Sequence, residues 1–249
     1  MFDTILNHRS IRKYTGEPVP NAVLDYILEA GTRASTTGNM QLYSVIVSTD
    51  ESIKEELSPC HFNQPMVKEA PLVLTFCADF NRFNKWCGLR KAEPGYDNFL
   101  SFMTAAIDAL LVAQNVCIAA EDAGLGVCYL GTTIYTAEKI IEVLDLPKGV
   151  VPITTLTLGY PDEKPELTDR LPLEAVIHRE KYNDYSDSDI ENLYHEKELI
   201  KSYQEFVKEN NKETLAQVFT DIRYKKSDNI LFSNNLLDIL QKQGFMNNQ

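Results

Sequence analysis

The sequence predicts an α+β fold in which helices surround a mixed β-sheet. With 249 residues and 44% hydrophobic composition, the chain can bury a large core. Segments of strand character alternate with segments whose apolar residues recur at helical spacing, and this order is typical of α/β and α+β proteins. The longest helical pattern, about residues 98–122, is apolar on more than one face, which predicts a central buried helix.

Helix and strand patterns alternate through the first third of the chain. Apolar residues at helical spacing follow Pro20, and this helix is expected to end near Gly31. The alternating run 43–48 predicts a half-buried strand, after which Asp50 begins a short helix. The continuous apolar run 71–78 has the length of a strand and predicts one buried on both faces.

The second part of the chain continues this alternation. The long helix is expected to stop at Gly124, and residues 127–130 read as the next strand. A helix from Thr136 that ends before Pro147 and a strand over 153–158 complete the pattern.

The character of the chain changes after Tyr182. Residues 186–249 are acidic and helical, with apolar stripes that are usually packing surface. The prediction is therefore a domain over residues 1–185 and a helical C-terminal extension over 186–249 that packs on the body or on a partner subunit.

Charge and hydropathy exclude several classes of partner. The formal net charge is -12, and the acids are spread along the chain, so polyanions such as nucleic acid would be repelled. No uninterrupted apolar stretch of about 18 residues occurs, and the start of the chain lacks a basic segment followed by an apolar one. We expect a cytoplasmic protein with neither a nucleic-acid nor a membrane partner.

The cysteines and the missing motifs exclude further classes of site. Five cysteines without a CxxC pair favour free thiols over disulfides, and Cys60 beside His61 is a poor start for a zinc site. No metal site is therefore predicted. The P-loop, GxGxxG, GxSxG and HExxH motifs are all missing, which disfavours a Rossmann nucleotide site and the common hydrolases.

A basic cluster near the N-terminus is the most informative feature. His8, Arg9, Ser10 and Arg12 place three potential cations and a hydroxyl within five residues, which suits a phosphate and the oxygens of a heterocycle. Alone, such a cluster is usually a solvated turn. The following polar turn, residues 35–41, adds hydroxyls and amides with little bulk, although it too could be an ordinary loop.

Five short strings occur in order along residues 1–182. They are HRSIR at 8–12, Asn63-Gln64 with Val67, Ala123–Gly126, Cys128–Gly131, and Arg170-Leu171-Pro172 ahead of His178 and Tyr182. In these strings and in their order the sequence resembles the nitroreductase family, in its branch of NADPH-linked flavin and nitro reductases.

The resemblance implies an FMN site. His8, Arg9 and Ser10 would hold the phosphate end, and Arg12 would face the pyrimidine edge of the ring, where it would favour the reduced flavin. No side chain is expected to act as catalytic acid or base. The other residues implied to contact FMN are Ser35, Thr36, Thr37, Gln41, Gln64, Tyr129, Leu130, Gly131, Lys164 and Arg170.

Two positions depart from the family pattern. Thr132 stands where the family has a second glycine, so close approach of the backbone to the ring is altered there. The family's phosphate-gripping lysine and arginine form a Lys-Pro-Arg string, whereas here residues 166–169 intervene between Lys164-Pro165 and Arg170. Arg170, which precedes Leu-Pro, is the safer assignment, and Lys164 could be merely solvated.

The resemblance also implies the reaction and the assembly. An intertwined homodimer would pass hydride from NADPH or NADH through FMN to a small acceptor, by ping-pong kinetics, with nitroaromatics, quinones or free flavin as acceptors. Arg223 is the candidate for binding the nicotinamide 2′-phosphate. Two alternatives stay open: a flavoprotein of the same fold that performs reductive dehalogenation or flavin fragmentation, and a dimeric binding protein without flavin.

Overall fold

The computed structural model describes residues 2–247, and Met1, Asn248 and Gln249 at the ends of the two predicted domains lie outside this range. The chain packs as two compact units. One unit comprises the residues up to Glu166 together with those from Phe232 onward, and the other is Leu167–Leu231. These units differ from the predicted domains in two ways: residues 167–185 group with the helices that follow them, and the part of the last helix from Phe232 onward belongs to the first unit.

A four-stranded sheet forms the centre of the first unit. Its order is β1-β2-β4-β3, and all three neighbouring pairs are antiparallel. The α+β prediction is confirmed. Among the described residues the only parallel pairing is the isolated bridge between Ser10 and Val127, so the sheet is mixed through that bridge alone. The strands are β1 Tyr43–Ser48, β2 Leu72–Asp79, β3 Gly126–Leu130 and β4 Val150–Gly159.

Four of the seven α-helices that lie wholly within the described part of the first unit are where the sequence predicts a helix. Asp50 caps the third helix, as its carboxylate accepts from the backbone N–H groups of Ser52 and Ile53 at 2.8 and 3.4 Å. The helices are α1 Phe2–Leu6, α2 Asn21–Thr32, α3 Glu51–Cys60, α4 Met66–Glu69, α5 Asn81–Leu89, α6 Phe99–Asp122 and α7 Ala137–Val143. Of these, α2, α3, α6 and α7 were predicted, whereas α1, α4 and α5 were not.

Apolar side chains cover both faces of the sheet. Helices α2 and α6 pack on one face against Leu74, Phe76 and Leu156, while residues of α3, α4 and α7 pack on the other against Val73 and Leu130. By length and composition α6 could cross a membrane, but half of its most apolar 18-residue window is buried inside the protein. The helix is central as the sequence predicts, but within one copy only one of its faces is buried, and Leu100, Ile107 and Leu111 are exposed.

Short helices make up the second unit. Asp169 accepts from the Lys197 ammonium at 2.6 Å and from the Tyr203 hydroxyl at 2.7 Å, and these bonds fasten the unit's first segment to its helices. The helices are α8 Asp187–Leu199, α9 Lys201–Glu209, α10 Leu215–Val218, the π-helical turn Phe219–Arg223 and the first turns of α11 Lys226–Gln243.

Candidate functional site

The basic segment, residues 8–12, lies along the outer strand β3. The Ile11 amide donates to the carbonyl of Val127 at 2.9 Å, next to the bridge between Ser10 and Val127. Gly126 makes this approach possible, because a Cβ there would lie 2.6 Å from Cγ2 of Ile11. The segment therefore lies against the outer edge of the sheet at β3.

His8 pairs with an acid that the sequence reasoning missed. Its Nδ1 lies 2.7 Å from Oε1 of Glu121 in α6, and Cys117 lies one turn earlier on that helix. Burial raises the pKa of Glu121 while His8 opposes the rise, and burial raises the pKa of Cys117 to about 12. The three potential ligand atoms lie within 4.8 Å of one another, and the hydrogen bond between His8 and Glu121 already joins two of them.

Arg9 and Lys164 line one groove of about 300 Å³. The Arg9 guanidinium donates to the carbonyl of Pro165 at 3.1 Å and to that of Asn7 at 3.2 Å. Within residues 2–247 the Lys164 ammonium has neither a hydrogen bond nor an ion pair, so its charge is available to an anion. The structure therefore brings these two predicted phosphate ligands together, even though Lys164 departs from the family spacing.

Glu163 fixes the end of the basic segment. Its Oε1 accepts from the amide of Arg12 at 2.6 Å and from that of Lys13 at 3.2 Å. This leaves the exposed Arg12 guanidinium free of that carboxylate and near Cys128, where it opposes the rise in the thiol pKa that burial causes. No sequence signal distinguished Glu163 from the many other acids of the chain.

The end of β3 carries the predicted Tyr129, Leu130 and Gly131. The Tyr129 hydroxyl donates to Oε1 of Gln114 at 3.3 Å, and burial raises its pKa well above the usual range. Leu130 is buried, whereas Gly131 is exposed and has no atom within 4 Å of where a Cβ would stand. Among the described residues no neighbour requires a glycine at 131, and the space that a Cβ would occupy there is open.

Gln64 lies in the short connection between α3 and α4. Its side-chain amide donates to the carbonyl of His61 at 3.1 Å. His61 itself is fully buried and reaches Thr132, just beyond Gly131, so Gln64 belongs to the same part of the first unit as the end of β3.

The polar turn lies at the opposite edge of the sheet. It leads into β1, whereas the basic segment flanks β3, and three inter-strand spacings of about 4.8 Å, or roughly 14 Å, separate these outer strands. Buried Asp108 of α6 holds the turn by accepting from the amides of Thr37 and Leu42 at 3.0 and 3.2 Å. Asp108 is the one charged residue between Phe99 and Ala120 of this apolar helix, which the sequence alone could have indicated. The turn residues Ser35, Thr36 and Gln41 are therefore not brought beside His8 or Arg12 within one copy.

Arg170 and Arg223 belong to the second unit. The Arg170 guanidinium donates to the carbonyls of Thr168 and Asp169 at 3.2 and 2.9 Å. The Arg223 guanidinium lies 4.3 Å from the centroid of the Phe206 ring, in a cation–π contact that holds it on the face of α9.

The chain is similar to a known protein family and to curated proteins. The family model described as the nitroreductase family matches residues 5–160. The chain is 34% identical to an "NADPH-dependent oxidoreductase" of Staphylococcus saprophyticus over 99% of this chain and 98% of that protein. It is 38% identical to an "FMN reductase (NADPH)" of Bacillus subtilis over 73% of this chain and 74% of that protein.

A solved structure of a Bacteroides fragilis protein, named only as an oxidoreductase, shares the fold. Its TM-score is 0.96 at 58% identity, and the match covers 98% of this chain and all of that one. The match to the family model takes in the basic segment, Gln64 and the end of β3, and the relatives match the chain at more than 30% identity. The protein belongs to the nitroreductase family.

Proposed function

We propose that this protein is an FMN-dependent NAD(P)H oxidoreductase that reduces small electron-poor acceptors such as nitroaromatics, quinones or free flavin. One observation carries the proposal: the basic segment, Lys164 and the open space at Gly131 all lie around β3 and its edge. The names of the two curated relatives, an NADPH-dependent oxidoreductase and an NADPH-linked FMN reductase, support the same chemistry.

The cations of this edge suit a phosphate monoester. Arg9 offers guanidinium donors in a fixed fork, and Lys164 adds a point charge across the same groove. Ser10, which follows Arg9, adds a hydroxyl, and the bridge to Val127 of β3 holds the Ser10 backbone in place. These residues bind and orient the cofactor and take no part in proton transfer.

The ring would lie past Tyr129, over the exposed Gly131. Bound FMN supplies the two-electron hydride chemistry, for which the protein needs no nucleophile. The exposed Arg12 guanidinium provides positive charge for the pyrimidine edge. Glu163 holds Arg12 through the Arg12 backbone N–H and makes no ion pair with the guanidinium. A fixed cation there stabilises the more negative reduced ring relative to the oxidised ring.

A second copy of the chain completes the site. Helix α6 exposes apolar side chains at helical spacing on the face turned away from the core, and a contiguous exposed apolar face is typical of a protein–protein interface. The polar turn, which cannot reach the basic segment of its own chain, would then serve the site of the partner. The exposed apolar residues are Phe99, Leu100, Met103, Ile107, Leu110 and Leu111.

The electron donor in this proposal is NADPH rather than NADH. Arg223 offers guanidinium donors in a fork that suits a phosphate, and Lys225 and Lys226 follow within three residues. We assign the 2′-phosphate to Arg223. With a net charge of -12 and five unpaired, buried cysteines, the enzyme is expected to work in the cytoplasm on small molecules.

Cofactor extraction with identification by mass tests the proposal. The purified protein should be yellow, release FMN, and oxidise NADPH faster than NADH when nitrofurazone or menadione is present. Colourless protein that cannot be reconstituted with FMN would favour the dimeric binding protein. Bound FMN with turnover only on a halogenated phenol, or with loss of the flavin itself, would favour dehalogenation or fragmentation.

A further inference from the structure

His61 occupies a position between two elements that the proposed function assigns to the flavin ring. Its side chain is completely buried, and its Nδ1 lies 2.8 Å from the Thr132 hydroxyl. Its carbonyl accepts from the Gln64 side chain at 3.1 Å. One residue therefore contacts both Gln64 and the residue that follows Gly131.

Threonine hydroxyls tie the loop after β3 at three places. Besides the contact with His61, the Thr133 hydroxyl donates to the carbonyl of Leu130 at 2.9 Å, and the Thr136 hydroxyl donates to the carbonyl of Cys60. The hydroxyls of Thr133 and Thr136 fasten the two ends of the loop. The bond between Thr132 and His61 is the side-chain bond next to Gly131, so it sets the conformation there.

His61 has no alternative partner for this bond. Its Nε2 is buried and has no hydrogen-bond partner among the described residues. Removing the Thr132 hydroxyl would therefore leave the whole imidazole unpaired inside the protein, which is costly for a polar group. The loop would be free to leave the conformation that exposes the Gly131 backbone.

We infer that His61 and Thr132 form a positioning pair that holds Gln64 and the Gly131 backbone together in the arrangement that accepts the flavin ring. The inference rests on the proposed function, because it concerns the same cofactor. It gives the threonine at 132, where the family pattern has glycine, a specific role. Neither residue is required to touch the cofactor.

Variants of Thr132 that differ in the hydroxyl test the pair. Thr132→Val keeps the shape and loses the hydroxyl, and Thr132→Ser keeps the hydroxyl. We expect Thr132→Val to raise the Kd for FMN on the order of tenfold and to shift the visible absorption band of the bound flavin, with Thr132→Ser close to wild type. His61→Asn, whose side-chain amide can stand at the position of Nδ1, should retain most of the wild-type affinity for FMN.

A matched control removes a hydroxyl hydrogen bond at the other edge of the sheet. The Ser44 hydroxyl of β1 donates to Asp79 at 2.5 Å, and Ser44→Ala should leave the FMN Kd and the flavin spectrum unchanged. Thermal unfolding of every variant separates a loss of stability from a loss of affinity. If Thr132→Val does not fold, Thr132→Ala takes its place.

Two results would overturn the inference. One is a Thr132→Val enzyme that binds FMN as tightly as wild type with an unaltered spectrum. The other is a loss of stability in Thr132→Val without a change in Kd, which would make the bond merely structural. Wild-type protein that binds no FMN at all would instead defeat the proposed function, and the two failures are therefore distinguishable.

Discussion

Arg12 is the residue whose charge is expected to matter most to the flavin. We expect Arg12→Ala to raise the Kd for FMN at least tenfold and to lower the reduction potential of the bound flavin, because a charge-assisted contact to the ring is lost. Anaerobic titration with a redox dye, together with FMN binding, measures both effects.

The neighbouring Lys13 provides the control for Arg12. Both residues are exposed cations whose amides donate to Glu163, so Lys13→Ala changes the same net charge and leaves the same backbone bonds. Its Kd should stay within about twofold of wild type, as expected for an exposed charge without a ligand. Equal effects of the two substitutions would contradict the role assigned to Arg12.

His61 should make the protein less stable in mild acid. Burial lowers its pKa from 6.5 to about 4, so the unfolded chain takes up the proton first as the pH falls. Stability is present above pH 6.5 and is lost as the pH falls toward 4, by up to about 3 kcal/mol. Chemical denaturation at several pH values measures this slope.

The control for that slope is His61→Asn, which has no titrating group at 61. Glu121, whose pKa is raised, contributes an opposite trend, since its stabilisation is lost as the pH rises through the raised pKa, but it is present in both proteins. The difference between the two slopes therefore isolates His61. Parallel slopes would show that the imidazole is not kept neutral by the fold.

At the scale of elements, the packing of the basic segment on β3 depends on Gly126. Gly126→Ala would place a Cβ 2.6 Å from Cγ2 of Ile11, so the segment must move away from the strand. We expect a loss of about 1–3 kcal/mol in the free energy of unfolding, as for other overpacked sites, together with weaker FMN binding. Urea denaturation and FMN titration measure the two effects.

Gly88 offers the contrasting substitution. It lies in α5 with no atom within 4 Å of where a Cβ would stand, so Gly88→Ala should be neutral or stabilise the helix by up to about 1 kcal/mol. If Gly88→Ala and Gly126→Ala lowered the FMN affinity equally, the contact between Gly126 and Ile11 would not be what matters for binding.

The elements also show how far sequence patterns reach. Tyr43–Ser48 has the predicted bounds because alternation is a local property, and α6 follows the predicted range closely for the same reason. The antiparallel pairing of all four strands was not predictable, since each strand's pattern is independent of its neighbour. Glu163 and Glu121 were missed because only the folded chain brings them to Arg12 and His8.

At the scale of the whole molecule, the exposed face of α6 should hold two copies together. We expect Ile107→Glu to shift the protein toward monomer in sedimentation velocity, because a carboxylate would be buried in an apolar interface. FMN binding should weaken in parallel, because the polar turn of the partner no longer reaches the site.

Leu89 provides the control for the interface. It is 77% exposed at the end of α5 and is not part of the apolar stripe of α6, so Leu89→Glu should leave the sedimentation coefficient and FMN affinity unchanged. A wild-type protein that sediments as a monomer while binding FMN would remove the reason for assigning the polar turn to the partner.

The sequence by itself determined the fold class, most helix and strand positions, and a set of candidate ligands around HRSIR, because these depend on local periodicity and on residue chemistry. Only the tertiary structure decided which candidates share a place. It brings Arg9 to Lys164 and places His61 between Gln64 and Thr132, while it moves the polar turn to the far edge of the sheet. The physical reason is that strand order and helix packing, which set distances between remote residues, arise from the burial of apolar surface by the chain as a whole.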